Sequence, residues 1–231
     1  MNEIKLSNRL LTVANYIPED IEIFADIGTD HAYLPCYVCN KYKHIKAIAG
    51  DVVQGPYEAA VKQVQKAKLT NRIDVRLGDG LSILKDNEVD CITIAGMGGS
   101  LIKSILMNRL RKLNRVQRLI LQPHIDSKSI RQFAVEQQYK IIDEQIIRDD
   151  GYIYEIIVLE PTSKSESHLN EKEQLLGPIL LKTKNEVFIE KWTNELNKKK
   201  QIVDQILKAA NPDFNKVSQF NKEIKWIEEE L

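Results

Sequence analysis

Five short apolar runs, each closed by a turn carrying glycine, aspartate or proline and each followed by a more polar stretch, constrain this chain more than any other feature. They occupy residues 21–27, 45–51, 72–77, 89–95 and 118–122. Near-continuous apolar runs of this length read as strands buried on both faces. The intervening residues 34–43, 56–68, 101–110 and 127–138 read as helices. Strand followed by helix, repeated, predicts a doubly wound α/β sheet with parallel strands.

The rhythm changes after residue 138. YKIIDEQIIRDD and GYIYEIIVLE are strand-like runs that meet at Asp149-Asp150-Gly151, a hairpin signal. They bring the expected sheet to seven strands, mostly parallel and ending in an antiparallel hairpin, the arrangement of class I, Rossmann-like methyltransferases. Past Pro161 the polar stretch TSKSESHLNEKE reads as a linker, and helix-like segments follow at 171–210 and 214–230, separated by Asn211-Pro212-Asp213. Val187, Trp192, Leu196, Ile202, Ile206 and Leu207 approximate an apolar stripe among Lys and Glu, which predicts a coiled-coil-like arm of two antiparallel helices. The expected division is therefore 1–161, a Rossmann-like domain, and 162–231, a helical domain.

Open α/β sheets bind ligands beyond the carboxyl ends of their strands. The first such turn lies in FADIGTDHAYLP, where Gly28 supplies a sharp bend but Asp30 and Tyr33 stand at the later glycine positions of a dinucleotide fingerprint. An acidic side chain there repels a bridging diphosphate and tolerates a ligand carrying positive charge. Asp51 ends the second strand, where a carboxylate can accept both hydroxyls of a ribose. Asp79, between Gly78 and Gly80, is placed to accept from an adenine amine, and Ala95-Gly96-Met97-Gly98-Gly99 forms a turn that backbone or target can approach. Each piece has a plainer reading, Asp51 as a helix cap and the glycine turns as close packing. Their conjunction fits an adenosine ligand with a cationic sulfonium amino acid at its other end, S-adenosylmethionine.

Other features narrow the class. With 33 Lys+Arg against 33 Asp+Glu, the chain has no basic excess of the kind nucleic-acid binders often carry, although local patches can serve. No apolar stretch approaches the ~20 residues needed to span a bilayer, and MNEIKLSNRL lacks a signal-peptide core. A cytoplasmic protein with no membrane partner is expected. Cys36 and Cys39 form a CxxC inside an apolar helical run without a second such pair, so they and Cys91 read as small buried residues, with no metal expected.

DIGTDHAYLP, GDVVQGPYEAA, RLGDGL and ITIAGMGG, with the early LSNRL and the late GYIYEI, resemble the bacterial tRNA adenine-N1-methyltransferases that modify position 22, the TrmK family. The resemblance is dense from about residue 5 to 160 and extends only in kind to the helical tail. It implies methyl transfer from S-adenosylmethionine to N1 of adenosine in tRNA. It places Asp26, Gly28, Asp30 and His31 around the methionine part, Asp51 and Val52 at the ribose, Asp79 and Gly80 at the adenine, and Ala95, Gly96 and Met97 beside the reacting centre. His31 could instead cap or pack a helix start. AGMGG stands where many amino-methylating enzymes carry Asn-Pro-Pro-Tyr, which favours a ring nitrogen over the exocyclic amine.

Adenine N1 carries an in-plane lone pair and is neutral at pH 7, so the chemistry calls for positioning and charge stabilisation rather than a strong base. Asp26, at its strand end, is the first catalytic candidate. Gln122 is the second, with a loop-stabilising hydrogen bond as its alternative. RNA contacts are expected from RLRKLNRVQR, which concentrates Arg109, Arg111, Lys112, Arg115 and Arg118, and from Arg9 and Lys198, Lys199 and Lys200, although a charge run also reads as a solvated face. A methyltransferase for another RNA nucleotide or a small molecule, and a non-catalytic RNA-binding module, are the competing readings. No obligate protein partner is inferred.

Overall fold

The computed structural model describes residues 4–162 and 168–231. The apolar runs form β1 (Ile23–Ile27), β2 (Lys46–Asp51), β3 (Ile73–Leu77), β4 (Cys91–Met97) and β5 (Arg118–Pro123), and the hairpin forms β6 (Tyr139–Asp149) and β7 (Tyr152–Pro161). They build one seven-stranded sheet in the order β3-β2-β1-β4-β5-β7-β6. The first five strands pair in parallel, whereas β7 runs antiparallel to both β5 and β6. The order reverses direction between β1 and β4, which opens a crevice at their carboxyl ends.

Helices α2 (Tyr33–Lys41), α3 (Gln54–Lys66), α4 (Gly99–Met107) and α5 (Ser127–Glu136) connect the strands as expected. One apolar cluster takes Phe24, Cys36, Val64 and Ile120, and another takes Ile27, Ile94, Ile102 and Phe133. A helix that the sequence pattern does not announce, α1 (Asn8–Asn15), precedes them. It is short, has no acidic residue in its first turn and is capped by Ser7, whose hydroxyl accepts from Leu10 N–H, and it buries only Val13 and Ala14. Tertiary packing rather than periodicity defines it.

The segment expected as one helix from 171 to 210 breaks into α6 (Glu171–Leu176), α7 (Leu180–Thr183) and α8 (Glu186–Leu207). Gly177 adopts φ +92° and Pro178 follows it, so α6 cannot continue. Lys184 is left-handed at φ 40°, and the Asn185 side chain then caps α8 by accepting from Phe188 N–H. After the Asn-Pro-Asp breaker, Asp213 caps α9 (Phe214–Glu228). Part of the expected linker, residues 163–167, lies outside the described residues.

Val203 on α8 packs with Val217 and Ile224 on α9, while Trp192 and Ile227 meet nearer the sheet, so the two helices run antiparallel. The helical part is also seated on the sheet. Leu176, Leu180, Phe188 and Trp192 pack with Ile146 of β6. Beneath them Arg131, fully buried, donates to Glu144 at 2.7 Å, to Glu155 at 2.6 Å and to the carbonyl of Leu175 at 3.1 Å. Glu144 in turn accepts from Ile179 N–H at 2.9 Å, and Lys191 of α8 pairs with Glu155.

Candidate functional site

The turns after β1 and β2 are locked together by the backbone. Gly28 N–H and Thr29 N–H donate to the Gly50 carbonyl at 2.8 and 2.9 Å. Gly28 has φ +74°, and a Cβ there would overlap the Met97 side chain, so glycine lets the β4 turn close over the β1 turn. Asp30 and Ala32 follow in left-handed conformations, both at φ 52°. Such strain at closely spaced non-glycine residues is characteristic of sites held for a ligand.

Asp51 stands at the centre of this edge. Its carboxylate accepts from Asp30 N–H at 3.2 Å and from Val53 N–H at 2.9 Å, one oxygen each, and lone pairs remain on both oxygens for two hydroxyls. Its carbonyl accepts from Gly78 N–H at 2.9 Å, tying the β3 turn to β2. Val52 beside it is 62% exposed, and Val53 and Leu77 add apolar surface that a flat ring could cover. Asp79 leads into a 3-10 turn, Gly80–Ile83, without using its side chain as a cap, so its carboxylate is uncommitted by that turn. His31 lies within 3.5 Å of the Asp30 carboxylate and stacks on Tyr33, ring centroids 5.5 Å apart.

Deeper in the crevice, Asp26 is only 5% exposed. Thr93 and Thr29 hydroxyls donate to its two oxygens, each at 2.7 Å. Burial raises its pKa, against the hydrogen bonds from Thr93 and Thr29 and the charge of Arg9, which lower it. A cation arriving nearby would favour the ionised form.

Gln122 is completely buried, and both ends of its amide are engaged. Its Oε1 accepts from Arg9 Nη1 at 2.6 Å and from Gly96 N–H at 3.2 Å, and its Nε2 donates to the Pro123 carbonyl at 2.9 Å. Arg9, expected to contact RNA, reaches over the crevice from α1, its guanidinium 5.3 Å from the centre of the Tyr154 ring. Gly96 at φ +83° exposes backbone to His124 and Arg9, beside Ala95 and Met97 at the end of β4. His124 lies 5.6 Å from Tyr154, ring to ring, and burial and then Arg9 lower its pKa. Arg9, His124 and Tyr154 thus gather beside the β4 turn, a cluster that the sequence pattern does not mark. Its signal lies in LSNRL and GYIYEI, but neither sits at a parallel strand end.

The basic stretch is largely neutralised. Lys112 pairs with Asp86 at 2.6 Å, Arg115 with Asp90 at 2.8 Å and Arg118 with Glu160 at 2.5 Å. Lys198, Lys199 and Lys200 pair with Glu195, Glu223 and Glu228. Arg109 and Arg111 are exposed and make no ion pair among the described residues. Cys36, Cys39 and Cys91 are buried free thiols, and burial pushes Cys36 up to about 12 and Cys39 to about 11, so neither offers a thiolate at neutral pH.

The family described as TrmK, tRNA (adenine(22)-N(1))-methyltransferase, matches residues 24–229. A curated relative, the tRNA (adenine(22)-N(1))-methyltransferase of Bacillus subtilis (strain 168), is 47% identical over 219 residues, covering 94% of this chain and 92% of that protein. The crystal structure of the B. subtilis M1A22 tRNA methyltransferase TrmK superimposes with a TM-score of 0.92 at 43% identity, covering 99% of each chain. Streptococcus pneumoniae Sp1610, solved in complex with S-adenosyl-L-methionine, gives a TM-score of 0.87 at 36% identity over 98% of this chain and 100% of that one.

Proposed function

The chain belongs to the TrmK family of tRNA (adenine(22)-N(1))-methyltransferases, and on that premise we propose roles for the residues along the carboxyl edge of its sheet. The protein transfers a methyl group from S-adenosylmethionine to N1 of adenosine 22 in tRNA. The observation that carries the cofactor assignment is the Asp51 carboxylate, aimed by two backbone donors and flanked by exposed Val52.

When bound, S-adenosylmethionine supplies an electrophilic methyl on a sulfonium. Asp51 holds the ribose hydroxyls, Val52 and Leu77 cover the adenine, and Asp79 with Gly80 meets its edge. Gly28, Asp30 and His31 line the methionine end. Asp26 lends buried negative charge beneath that end and beneath the base, where positive charge arrives as N1 is alkylated. Because N1 needs no deprotonation, orientation of the base is the main remaining demand.

Gln122 acts as a positioning residue, holding Arg9 and the Gly96 amide in fixed places. Ala95, Gly96 and Met97 form the floor on which the target base rests. Arg9 meets the RNA at the mouth of the crevice, with Arg109 and Arg111 as outer contacts, whereas Lys112 and Arg115 act there only if their ion pairs open. Residues 1–161 carry the cofactor site, and 162–231 form a coiled-coil-like arm that extends the RNA surface. Among the described residues no helix is long and apolar enough to cross a membrane, and a tRNA substrate supports a cytoplasmic enzyme. Incubation with methyl-labelled cofactor and unmodified tRNA, followed by nucleoside mass spectrometry, tests this reading. 1-Methyladenosine is the expected product, and N6-methyladenosine or no label would overturn it.

A further inference from the structure

We propose that a groove on the α2–α3 side of the sheet carries the tRNA backbone toward the methyl-transfer crevice. The proposal deepens the functional reading above and rests on it. The groove encloses about 670 Å³ and is lined by Lys5, Lys43, Lys66, Lys68 and Arg72, with Tyr33 among them. Among the described residues no Asp or Glu lines it. The four lysines are exposed, and none of the five cations enters an ion pair among the described residues. The Arg72 guanidinium donates to the carbonyls of Tyr42 and Lys43, both at 3.1 Å, which fixes its position without cancelling its charge.

That concentration stands out in a chain with equal numbers of cationic and anionic side chains. The lysines of α8 and most of the 109–118 stretch are neutralised by carboxylates. The groove's charge is not, and a phosphate backbone is the ligand that uncompensated Lys and Arg in a row, with an aromatic ring between them, would recognise.

The groove runs from the ends of α2 and α3, where Lys43, Lys66, Lys68 and Arg72 lie at the amino-terminal edge of the sheet, to Tyr33 at the start of α2 on the crevice edge. Lys5 lines it, and Arg9, on the following helix, bonds Gln122 inside the crevice. Tyr33 lines it and stacks on His31 of the cofactor turn. A strand lying in the groove passes from that edge along α2 to Tyr33, beside the cofactor turn. A flat anionic membrane would meet the exposed lysines but not follow this path.

The test is the triple variant Lys5→Gln, Lys43→Gln, Lys66→Gln, compared with the unaltered protein. Affinity for unmodified tRNA is measured by fluorescence anisotropy across a salt series, and S-adenosylmethionine affinity by calorimetry. Because the variant neutralises three fewer phosphates, the slope of log affinity against log salt is expected to become shallower by about 2, and tRNA binding at ~0.1 M salt to weaken roughly tenfold or more. The KM for tRNA should rise by a similar factor, while cofactor affinity stays unchanged and reports an intact fold. Unchanged tRNA affinity and slope, in a setting where the unaltered protein methylates tRNA, would overturn the groove assignment and leave the enzymatic reading standing. Loss of binding to phosphatidylserine vesicles with tRNA binding intact would overturn it in favour of a membrane contact. Failure of the unaltered protein to methylate tRNA would overturn the underlying reading, and is seen before any lysine is changed.

Discussion

Arg9 Nη1 donates to Gln122 Oε1 at 2.6 Å, joining residues 113 positions apart across the mouth of the crevice. The same oxygen accepts from Gly96 N–H, so one buried amide aligns the N-terminal helix with the β4 turn. Asp149 of the hairpin fixes α1 as well, accepting from Arg9 N–H at 3.1 Å. Removing Gln122 would take from Arg9 and from the Gly96 amide their shared acceptor.

Arg9→Gln removes a positive charge that, after burial, holds the His124 pKa below its ordinary value. The imidazole should therefore titrate at higher pH in the variant, moving back toward ~6.5. Proton NMR of the His124 ring gives the shift directly. Because a protonated His124 would add a second cation where alkylated adenine forms, methylation should fall most steeply on the acidic side. An unmoved His124 titration would contradict the placement of Arg9.

Asp51→Ala deletes the carboxylate proposed to hold the ribose and the anchors of Asp30 N–H and Val53 N–H. S-Adenosylmethionine affinity should drop by about thirtyfold, ~2 kcal/mol, with the protein still folded. Calorimetry measures the former and a thermal melt the latter. Unchanged affinity would remove Asp51 from the site.

Asp26→Asn should separate stability from function. The carboxyl pKa is raised by burial, so at neutral pH the ionised side chain burdens the folded state. Relative stability from this group is greatest below its unfolded pKa and is lost as pH rises through the folded one. The amide should thus raise Tm at pH 7, and the gain should vanish as the pH is lowered. Saturated turnover should fall by ~100-fold if the charge stabilises alkylated adenine. A variant with normal turnover and weakened cofactor binding would confine Asp26 to the methionine end.

Much of this architecture is legible in the sequence because buried parallel strands leave continuous apolar runs and their ligand turns keep small or acidic residues. Gly28, Asp51 and Gly80 stand where the turns require them. The breaks inside the helical tail are less apparent, although Gly177-Pro178 carries the signal, since one apolar stripe continues across them. The cluster of Arg9, His124 and Tyr154 is hidden for a different reason. Its members come from α1, the β5 turn and β7, and only the assembled sheet brings them together. Pairing also alters the meaning of the basic stretch, because composition cannot reveal that Asp86 and Asp90 neutralise Lys112 and Arg115.

Arg131→Met leaves Glu144 and Glu155 buried without their shared cation. Breaking a buried pair typically costs about 3–5 kcal/mol, so a Tm lower by roughly 10 °C is expected. Burial pushes the Glu155 pKa up, but Lys191 and Arg131 more than offset it and hold it at about 2. The stability it contributes is present above the ordinary carboxylate pKa and is lost as pH falls from there through about 2. The variant should therefore be less sensitive to acid over this range. A chain ended at Pro161, which lacks Lys191 and the Leu175 carbonyl, should fold poorly for the same reason. A cooperative melt at the full-length Tm would contradict this coupling.

The most direct test of the central claim is a map of the methylated position. Unmodified tRNA carrying adenosine 22 is incubated with the protein and S-adenosylmethionine, then copied by reverse transcriptase, which stalls where the Watson–Crick edge is blocked. A stop at position 22 that needs both protein and cofactor, disappears when adenosine 22 is replaced by guanosine and is strongly reduced by Asp51→Ala is the expected result. Methyl incorporation without a stop at that position, or a stop that survives replacement of adenosine 22, would contradict it.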